Sequence, residues 1–359
     1  DVVVDAILAK KNLGTRITDA PFVIGVGPGF YAGKDCHCVI ETKRGHTLGN
    51  VIWEKEAIPN TGVPGNIGGF TTERLIRASA DGIMEPVAEI GDTVEKGQLV
   101  ARTGKQPVYA KMSGIVRGML QKDVQVTEGL KIGDIDARCE PEHCVTISDK
   151  ARAVGGGVLE AVSLFGQIYG NYGVALLAAG EAKRFGSDKL SEKFQGIPLY
   201  RHALEKLEAF SGLSRVVVTA REALAEEAQR LGIHIVENRQ PEQGISHSVS
   251  LALQELLSQN PDLEGVLFLV CDQPGIQAAT IQKILNEGCL HKNSIVCAGY
   301  DGMRGNPVLW GSTYFQELMH LTGDTGGRQL MKQYEEKIRI VECAPEELKD
   351  IDRREDMTE

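Results

Sequence analysis

Val174 to Leu190 reads VALLAAGEAKRFGSDKL, and the fold of the chain's second half turns on this stretch. An apolar run from Val174 to Ala178 breaks at Gly180 into a short polar loop that carries Arg184, Gly186 and Lys189. A buried strand feeding a Gly-containing, cationic loop suits an anion such as a nucleoside triphosphate. Backbone N–H groups in such a loop can point at phosphate oxygens, and glycine lets the backbone come close. A solvated loop with ordinary surface charges would read the same way on its own. Agreement from other segments decides between the two.

Those segments come at regular intervals. PLYRHALEKLEAF has apolar residues at helical spacing, RVVVT reads as a buried strand, and Ala220 to Leu231 repeats the helical pattern. IHIVE is a strand, His247 to Leu257 a third helix, and GVLFLVC a strongly apolar strand ending at Asp272-Gln273-Pro274. This alternation predicts an α/β domain with a largely parallel sheet and helices on both faces. Ligands in such folds collect at the C-terminal ends of the strands, where the opening loop and Asp272 both fall. A carboxylate at a buried strand's exit is costly unless paired or metal-bound, and Mg²⁺ takes carboxylate together with phosphate oxygens. Gln243-Gly244-Ile245-Ser246-His247-Ser248 opens a helix with hydroxyls and free N–H groups, although N-capping alone explains Ser246. Arg304-Gly305-Asn306-Pro307 and Gly323-Asp324-Thr325-Gly326-Gly327-Arg328 are two further polar glycine loops.

Bulk properties narrow the function class. A chain of 359 residues predicts two domains. Its 42% hydrophobic and 25% charged content is ordinary for a globular protein. The net charge of −10 argues against a general nucleic-acid binder. No apolar run approaches the ~20 residues that span a bilayer. Eight cysteines are spread over both halves, several of them inside apolar runs, which fits free thiols in a reducing cytoplasm. The opening DVVVDAILAKK has no signal-peptide pattern and starts inside a strand-like run, so a fragment of a longer product is expected.

Residues 1–82 are Gly-rich with short β-branched runs, a pattern of strands and long turns. Gly27-x-Gly29-x-x-Ala32 fits a loose dinucleotide fingerprint, but KDCHCVIETKRGH after it reads as a strand where that fingerprint needs a helix, so a plain tight turn is expected. Residues 83–136 alternate short strands with Gly-Asp and Lys-Gly turns and resemble the barrel-like β-sandwich of lipoyl and biotinyl carrier domains. Lys111 is the nearest candidate for a modified lysine, and a structural hairpin is the favoured reading. Cys36, His37, Cys38, Cys139, His143 and Cys144 lack the paired spacing of common zinc sites and read as loop thiols with a surface histidine. Residues 137–173 form the junction, where a Gly-rich stop at 155–157 precedes a short amphipathic helix.

From 174 to 359 the motifs LAAG-x3-R-x-G-x2-KL, GIPL, GISHSVSLAL, DQP, RGNPVL, GDTGGRQL and DIDRRED occur in order. This half resembles the molybdenum-cofactor cytidylyltransferases, within the nucleotidyltransferase family that includes the guanylyltransferase of the same pathway. The resemblance implies a Rossmann-like fold that joins CMP from CTP to molybdopterin and releases pyrophosphate. It implies that Leu177, Ala178, Ala179, Gly180, Gly186, Gly244, Ser246 and Ser248 hold the nucleotide, with Arg184 and Lys189 on its phosphates. Asp272 would ligate Mg²⁺, with Asp350 or Asp352 as a second carboxylate, Asp352 being the one assigned to the metal. Gln273, Asn306 and Asp324 would face the acceptor. Cytidylyl members read Leu-Ala-Ala-Gly where guanylyl members read Leu-Ala-Gly-Gly, so Ala179 points to cytidine. Asn306 departs from the His of many cytidylyl members, and Arg353 to Asp356 replace the usual Thr-Pro-Glu-Asp.

Residues 1–165 are similar to a YqeB-like family tied to the maturation of selenium-dependent molybdenum hydroxylases. The likeness rests on NLGTRITDAPFVIGVGPGF, GHTLGNVIWEKEAIPNTGVPG and SDKARAVGGGVLEAV. Together the two halves imply Mg²⁺-dependent cytidylyl transfer in the cytoplasm, with CTP, a molybdopterin-type cofactor and a hydroxylase apoenzyme as partners, and neither nucleic acid nor membrane. A second reading keeps the fold and changes the nucleotide donor or the phosphorylated acceptor. A third makes the chain a non-catalytic cofactor carrier or chaperone.

Overall fold

Tyr172–Ala178 (β1) is buried at all seven positions, because alternate side chains enter two different cores. Val174 and Leu176 pack into one, Ala175 and Leu177 into the other. Gly265–Val270 (β4) divides likewise, Leu267 and Leu269 against Val266 and Phe268. A strand covered on both faces needs a continuous apolar run, and both runs in the sequence meet that demand. The remaining strands of the sheet are Ser214–Thr219 (β2), His234–Glu237 (β3), Ile295–Tyr300 (β5), Met303–Gly311 (β6) and Ile338–Glu342 (β7).

The seven strands lie in the order β3-β2-β1-β4-β6-β5-β7. Every adjacent pair is parallel except the two that involve β6. Helices Leu199–Glu208, Glu222–Arg230 and Ala278–Leu290 contribute Leu204, Leu224 and Ile284 to the first core. Helix Ile245–Gln259 contributes Val249, Leu253 and Leu256 to the second. The Rossmann-like α/β sheet expected for 174–359 is therefore present, with β6 as its one antiparallel member.

The computed structural model describes residues 1–62, 64–180, 185 and 188–358. The chain divides into two units: Asp1–Thr42 with Gly49–Ile58 and Gly156–Glu359, and Lys43–Leu48 with Pro59–Gly155. Most of the first 58 residues, the start of the β-rich stretch over 1–82, thus group with the α/β sheet. Here Val2–Asp5, Phe22–Val26 and Cys38–Ile40 run parallel, with Val51–Ile52 antiparallel at the edge. The Gly27–Gly29 turn is closed by its neighbours: Gly27 donates its N–H to the Ile40 carbonyl, and a Cβ on Gly29 would lie 2.5 Å from the Lys11 Cα.

The surface histidine expected beside Cys36 and Cys38 is instead core. His37 is buried between two backbone groups, its Nδ1 accepting from the Val23 N–H at 2.9 Å and its Nε2 donating to the Ala209 carbonyl at 2.7 Å. Both cysteines are fully buried, and burial pushes the Cys36 thiol up to about 12. Desolvation lowers His37 to about 4 from 6.5, despite both hydrogen bonds. Between those values the unfolded chain binds a proton that the folded chain refuses. Stability from this site is complete above pH 6.5 and is lost as pH falls toward 4, by about 3 kcal/mol in total. Urea midpoints at pH 7.5 and 5 should therefore differ, and His37→Gln should flatten the difference. An unchanged slope in that variant would assign the acid sensitivity elsewhere.

The other unit holds two four-stranded antiparallel sheets. Gln106–Tyr109, Leu99–Thr103, Gly82–Pro86 and Gln125–Val126 form one, and Leu75–Arg77, Lys131–Asp136, Gly114–Met119 and Thr93–Val94 the other. Met84, Val100, Val116 and Ile135 share its core. The module begins at Leu75, before the expected boundary at 83, because Leu75 to Arg77 pair with Lys131 to Asp134. Lys111 is exposed in the link between the strands ending at Tyr109 and beginning at Gly114. Among the described residues no group of three or more His, Cys, Asp or Glu side chains is arranged to hold a metal ion.

The glycine run at 155–157 does not stop a helix. Asp149–Ile168 is one 20-residue helix that contains it. Each interior glycine costs ~1 kcal/mol relative to alanine. Gly157 has a packing reason, since a Cβ there would collide with the Gly49 carbonyl oxygen. Among the described residues no helix is long and apolar enough to cross a membrane.

Candidate active site

The C-terminal ends of β1 and β4 open beside one another, as parallel neighbours must. Ala178, Ala179 and Gly180 leave β1, and Cys271 and Asp272 leave β4. Lys189 returns to this edge at the start of a single turn, Lys189–Ser191. Its Nζ donates to Asp272 Oδ2 at 3.0 Å and to Asp352 Oδ1 at 3.5 Å. The lysine side chain is only 11% exposed, so these carboxylates are what offset the cost of burying its charge.

The closing DIDRRED segment reaches the site through Ile351. Its N–H donates to the Asp272 carbonyl at 2.9 Å, and its side chain is buried in the first core. Asp352 shares the Lys189 ammonium with Asp272, and Asp350 lies near enough to feel the Asp272 charge. Burial pushes the Asp350 carboxyl up, the nearby Asp272 charge adds to it, and a hydrogen bond from Gln273 opposes it. Gln273 Nε2 donates to Asp350 Oδ1 at 2.8 Å and to the Leu348 carbonyl at 3.3 Å.

The opposite wall comes from the start of helix Ile245–Gln259. Gly244 stands at φ 83°, ψ −178°, a region essentially reserved for glycine. A Cβ there would lie 2.6 Å from the Gly323 carbonyl oxygen and 2.9 Å from the Asp324 nitrogen. This close approach lets Asp324 Oδ1 accept from the Ile245 N–H at 3.3 Å, at the positive end of the helix. Ser248 Oγ accepts from the buried Asn238 amide at 3.0 Å.

Between these walls lies a cavity of about 610 Å³. Of the residues singled out in the sequence, Leu177, Ala178, Ala179, Gly180, Lys189, Gly244, Ser248, Asp272, Asp324 and Asp352 line it. Ser246, Gln273, Asn306 and Asp350 do not. Ser246 is fully buried, its Oγ without a hydrogen-bond partner among the described residues. Gln273 is buried and spends its amide on Asp350 and Leu348. Asn306 lies within β6, outside the cavity lining. Arg184 and Gly186 lie outside the described residues.

Sequence reasoning missed Arg221, which lines the cavity two residues beyond β2. Its one available signal was position, at the same sheet edge as Gly180 and Asp272.

Residues 174–338 match the family model of the MobA-like NTP transferase domain. One relative is the uncharacterized protein YqeB of Escherichia coli K12, 57% identical over 162 residues, covering 45% of this chain and 30% of YqeB. The purine catabolism protein PucB of Bacillus subtilis is 28% identical over 168 residues, 44% of this chain and 78% of PucB. A protein named "Probable molybdenum cofactor guanylyltransferase" from Thermococcus gammatolerans is 37% identical over 62 residues, 17% of this chain and 32% of that protein. The chain thus spans less than a third of the length of YqeB. Its second half carries a nucleotidyltransferase domain of the MobA-like type, and the chain also has a YqeB homologue.

Proposed function

We propose that this protein transfers CMP from CTP to a molybdopterin-type acceptor, releasing pyrophosphate. The observation that carries the proposal is the meeting of Lys189 with Asp272 and Asp352 at the open end of two parallel strands, across the cavity from Gly244. A phosphate oxygen of the acceptor would attack the α-phosphorus of the nucleotide in line. The bond to the β-phosphate oxygen breaks and pyrophosphate leaves with that electron pair. Lys189 offsets the charge gathering on the phosphates, and the Ala179 and Gly180 backbone on the cavity wall would orient them.

Cytidine as the base is supported by Ala179 of the LAAG sequence on the cavity wall. The relatives named for guanylyl transfer make GTP the competing donor.

The donor set fits Mg²⁺, which commonly takes one or two carboxylates and completes its shell with substrate phosphates and water. Asp272 and Asp352 would hold it. When bound it would polarise phosphate oxygens and offset the charge of the departing pyrophosphate. Because no described group offers three protein ligands, the ion should bind tightly only with nucleotide present. Calorimetric titration of Mg²⁺ should show little heat alone and clear binding with CTP. Tight Mg²⁺ binding without nucleotide would contradict this arrangement.

The decisive test mixes molybdopterin with CTP, GTP or ATP and measures pyrophosphate. Release with CTP alone supports the proposal, release with GTP moves the base assignment, and no release with any donor favours a carrier. For the YqeB-like region we propose a handover role toward a molybdenum hydroxylase apoenzyme in the cytoplasm. Its support is the resemblance of residues 1–165.

A further inference from the structure

We propose that Arg221 is a positioning residue that fastens the two ends of the nucleotide loop to one another. The inference rests on the reading of that loop as the nucleotide site, and deepens it. All three nitrogens of a single guanidinium are used to meet both ends of the segment between Gly180 and Asp188. Nη1 donates to the Ala178 carbonyl at 2.6 Å and Nη2 to the Gly180 carbonyl at 3.0 Å. Nε donates to Asp188 Oδ1 at 2.6 Å, on the far side of the loop.

Both partners of this clasp are themselves held. The Arg221 N–H donates to Thr219 Oγ1 at 3.0 Å, and that hydroxyl donates to the same Ala178 carbonyl at 3.4 Å. Asp188, the residue before Lys189, accepts from Ser191 Oγ at 2.6 Å through its other oxygen. Burial works against the Asp188 charge, yet the hydrogen bonds from Ser191 and Arg221 and the Arg221 charge hold its carboxyl below the ordinary value.

The geometry explains why an arginine stands here. Three planar donors meet three acceptors in two chain segments, an arrangement that a lysine's single ammonium cannot reproduce. The clasp also sets the distance between Gly180 and Lys189, the cation on the carboxylates. Arg221 lines the same cavity as Lys189, so the site keeps a second fixed positive charge when Lys189 is engaged.

The test compares the full chain with Arg221→Lys, Arg221→Met and Asp188→Asn in two measurements. Hydrogen exchange, without nucleotide, should accelerate at least about fivefold in the peptide spanning 178–190 in both Arg221 variants. Asp188→Asn should produce a smaller rise, and the other strand ends should not change. Nucleotide affinity should fall at least about tenfold in Arg221→Met and nearly as much in Arg221→Lys. The Arg221→Met, Asp188→Asn double variant should lose less than the product of the single losses, as expected for coupled partners. Wild-type exchange in the 178–190 peptide, or full rescue by lysine, would overturn the clasp. Failure of the wild-type protein to bind any nucleotide would instead overturn the proposed function, while the exchange measurement still judges the clasp.

Discussion

Asp272→Ala should reduce turnover by a factor on the order of 10²–10³ and leave the fold intact. The loss follows from position. Asp272 is the cavity-lining carboxylate at the exit of β4 that accepts directly from the Lys189 ammonium, and it is one of two that would meet a nucleotide-bound cation. The fold survives for an equally local reason. Lys189 keeps Asp352 within 3.5 Å, so its ammonium does not become an unpaired buried charge. The Ile351 N–H bonds the backbone carbonyl of residue 272 and is indifferent to its side chain. Removing the Asp272 charge also relieves one of the influences that push Asp350 up. The measurement is pyrophosphate release alongside a thermal melt. Turnover that survives the substitution would remove Asp272 from the chemistry. Asp350→Asn is the useful companion, since Asp350 is bound by Gln273 and does not line the cavity, and its effect should be much smaller.

The division between what the sequence disclosed and what it concealed has a physical basis. The two-sided strands β1 and β4 were legible because burial on both faces requires uninterrupted apolar runs. The edge where they end was legible because parallel strands place their C-terminal ends together. Asp350 and Asp352 were placed near Asp272 by resemblance, but the cause became visible only in space, as Ile351 anchors the segment between them. Arg221 had no pattern to betray it. A single arginine after a strand looks like surface charge until its three acceptors, 33 to 43 positions earlier in the sequence, are seen around it.

Two polar letters concealed burial. His37 sits in a short polar-looking phrase, yet two backbone partners allow it to be buried neutral. Gln273 looked available to an acceptor, but burial commits its amide to Asp350 and Leu348. The grouping of most of the first 58 residues with the α/β sheet was hidden for a different reason. Composition separates glycine-rich strands from α/β alternation, but it carries no information on which core a strand joins. Phe22 stacking on Phe165 at 4.6 Å, and His37 on Ala209, are contacts between residues more than 140 positions apart.

Gly244→Ala should damage the site without touching a charged residue. The backbone conformation at 244 costs a non-glycine residue on the order of 1–3 kcal/mol before any contact is considered. The added Cβ would then sit 2.6 Å from the Gly323 carbonyl oxygen, against backbone and not a side chain that could rotate away. Relief requires the 323–324 segment to move, and with it Asp324, whose Oδ1 holds the Ile245 N–H. The first turn of helix Ile245–Gln259 would lose that contact while Ser248 stays tied to Asn238 from below. The expected result is a lower melting temperature together with nucleotide affinity reduced at least about tenfold, a change of about 1.4 kcal/mol. Asp324→Asn separates the two causes. It keeps an acceptor for the Ile245 N–H and leaves the backbone unstrained, so it should lose far less than Gly244→Ala in both measurements. Equal losses in the two variants would mean that the Asp324 charge, and not the approach of the two backbones, shapes this wall.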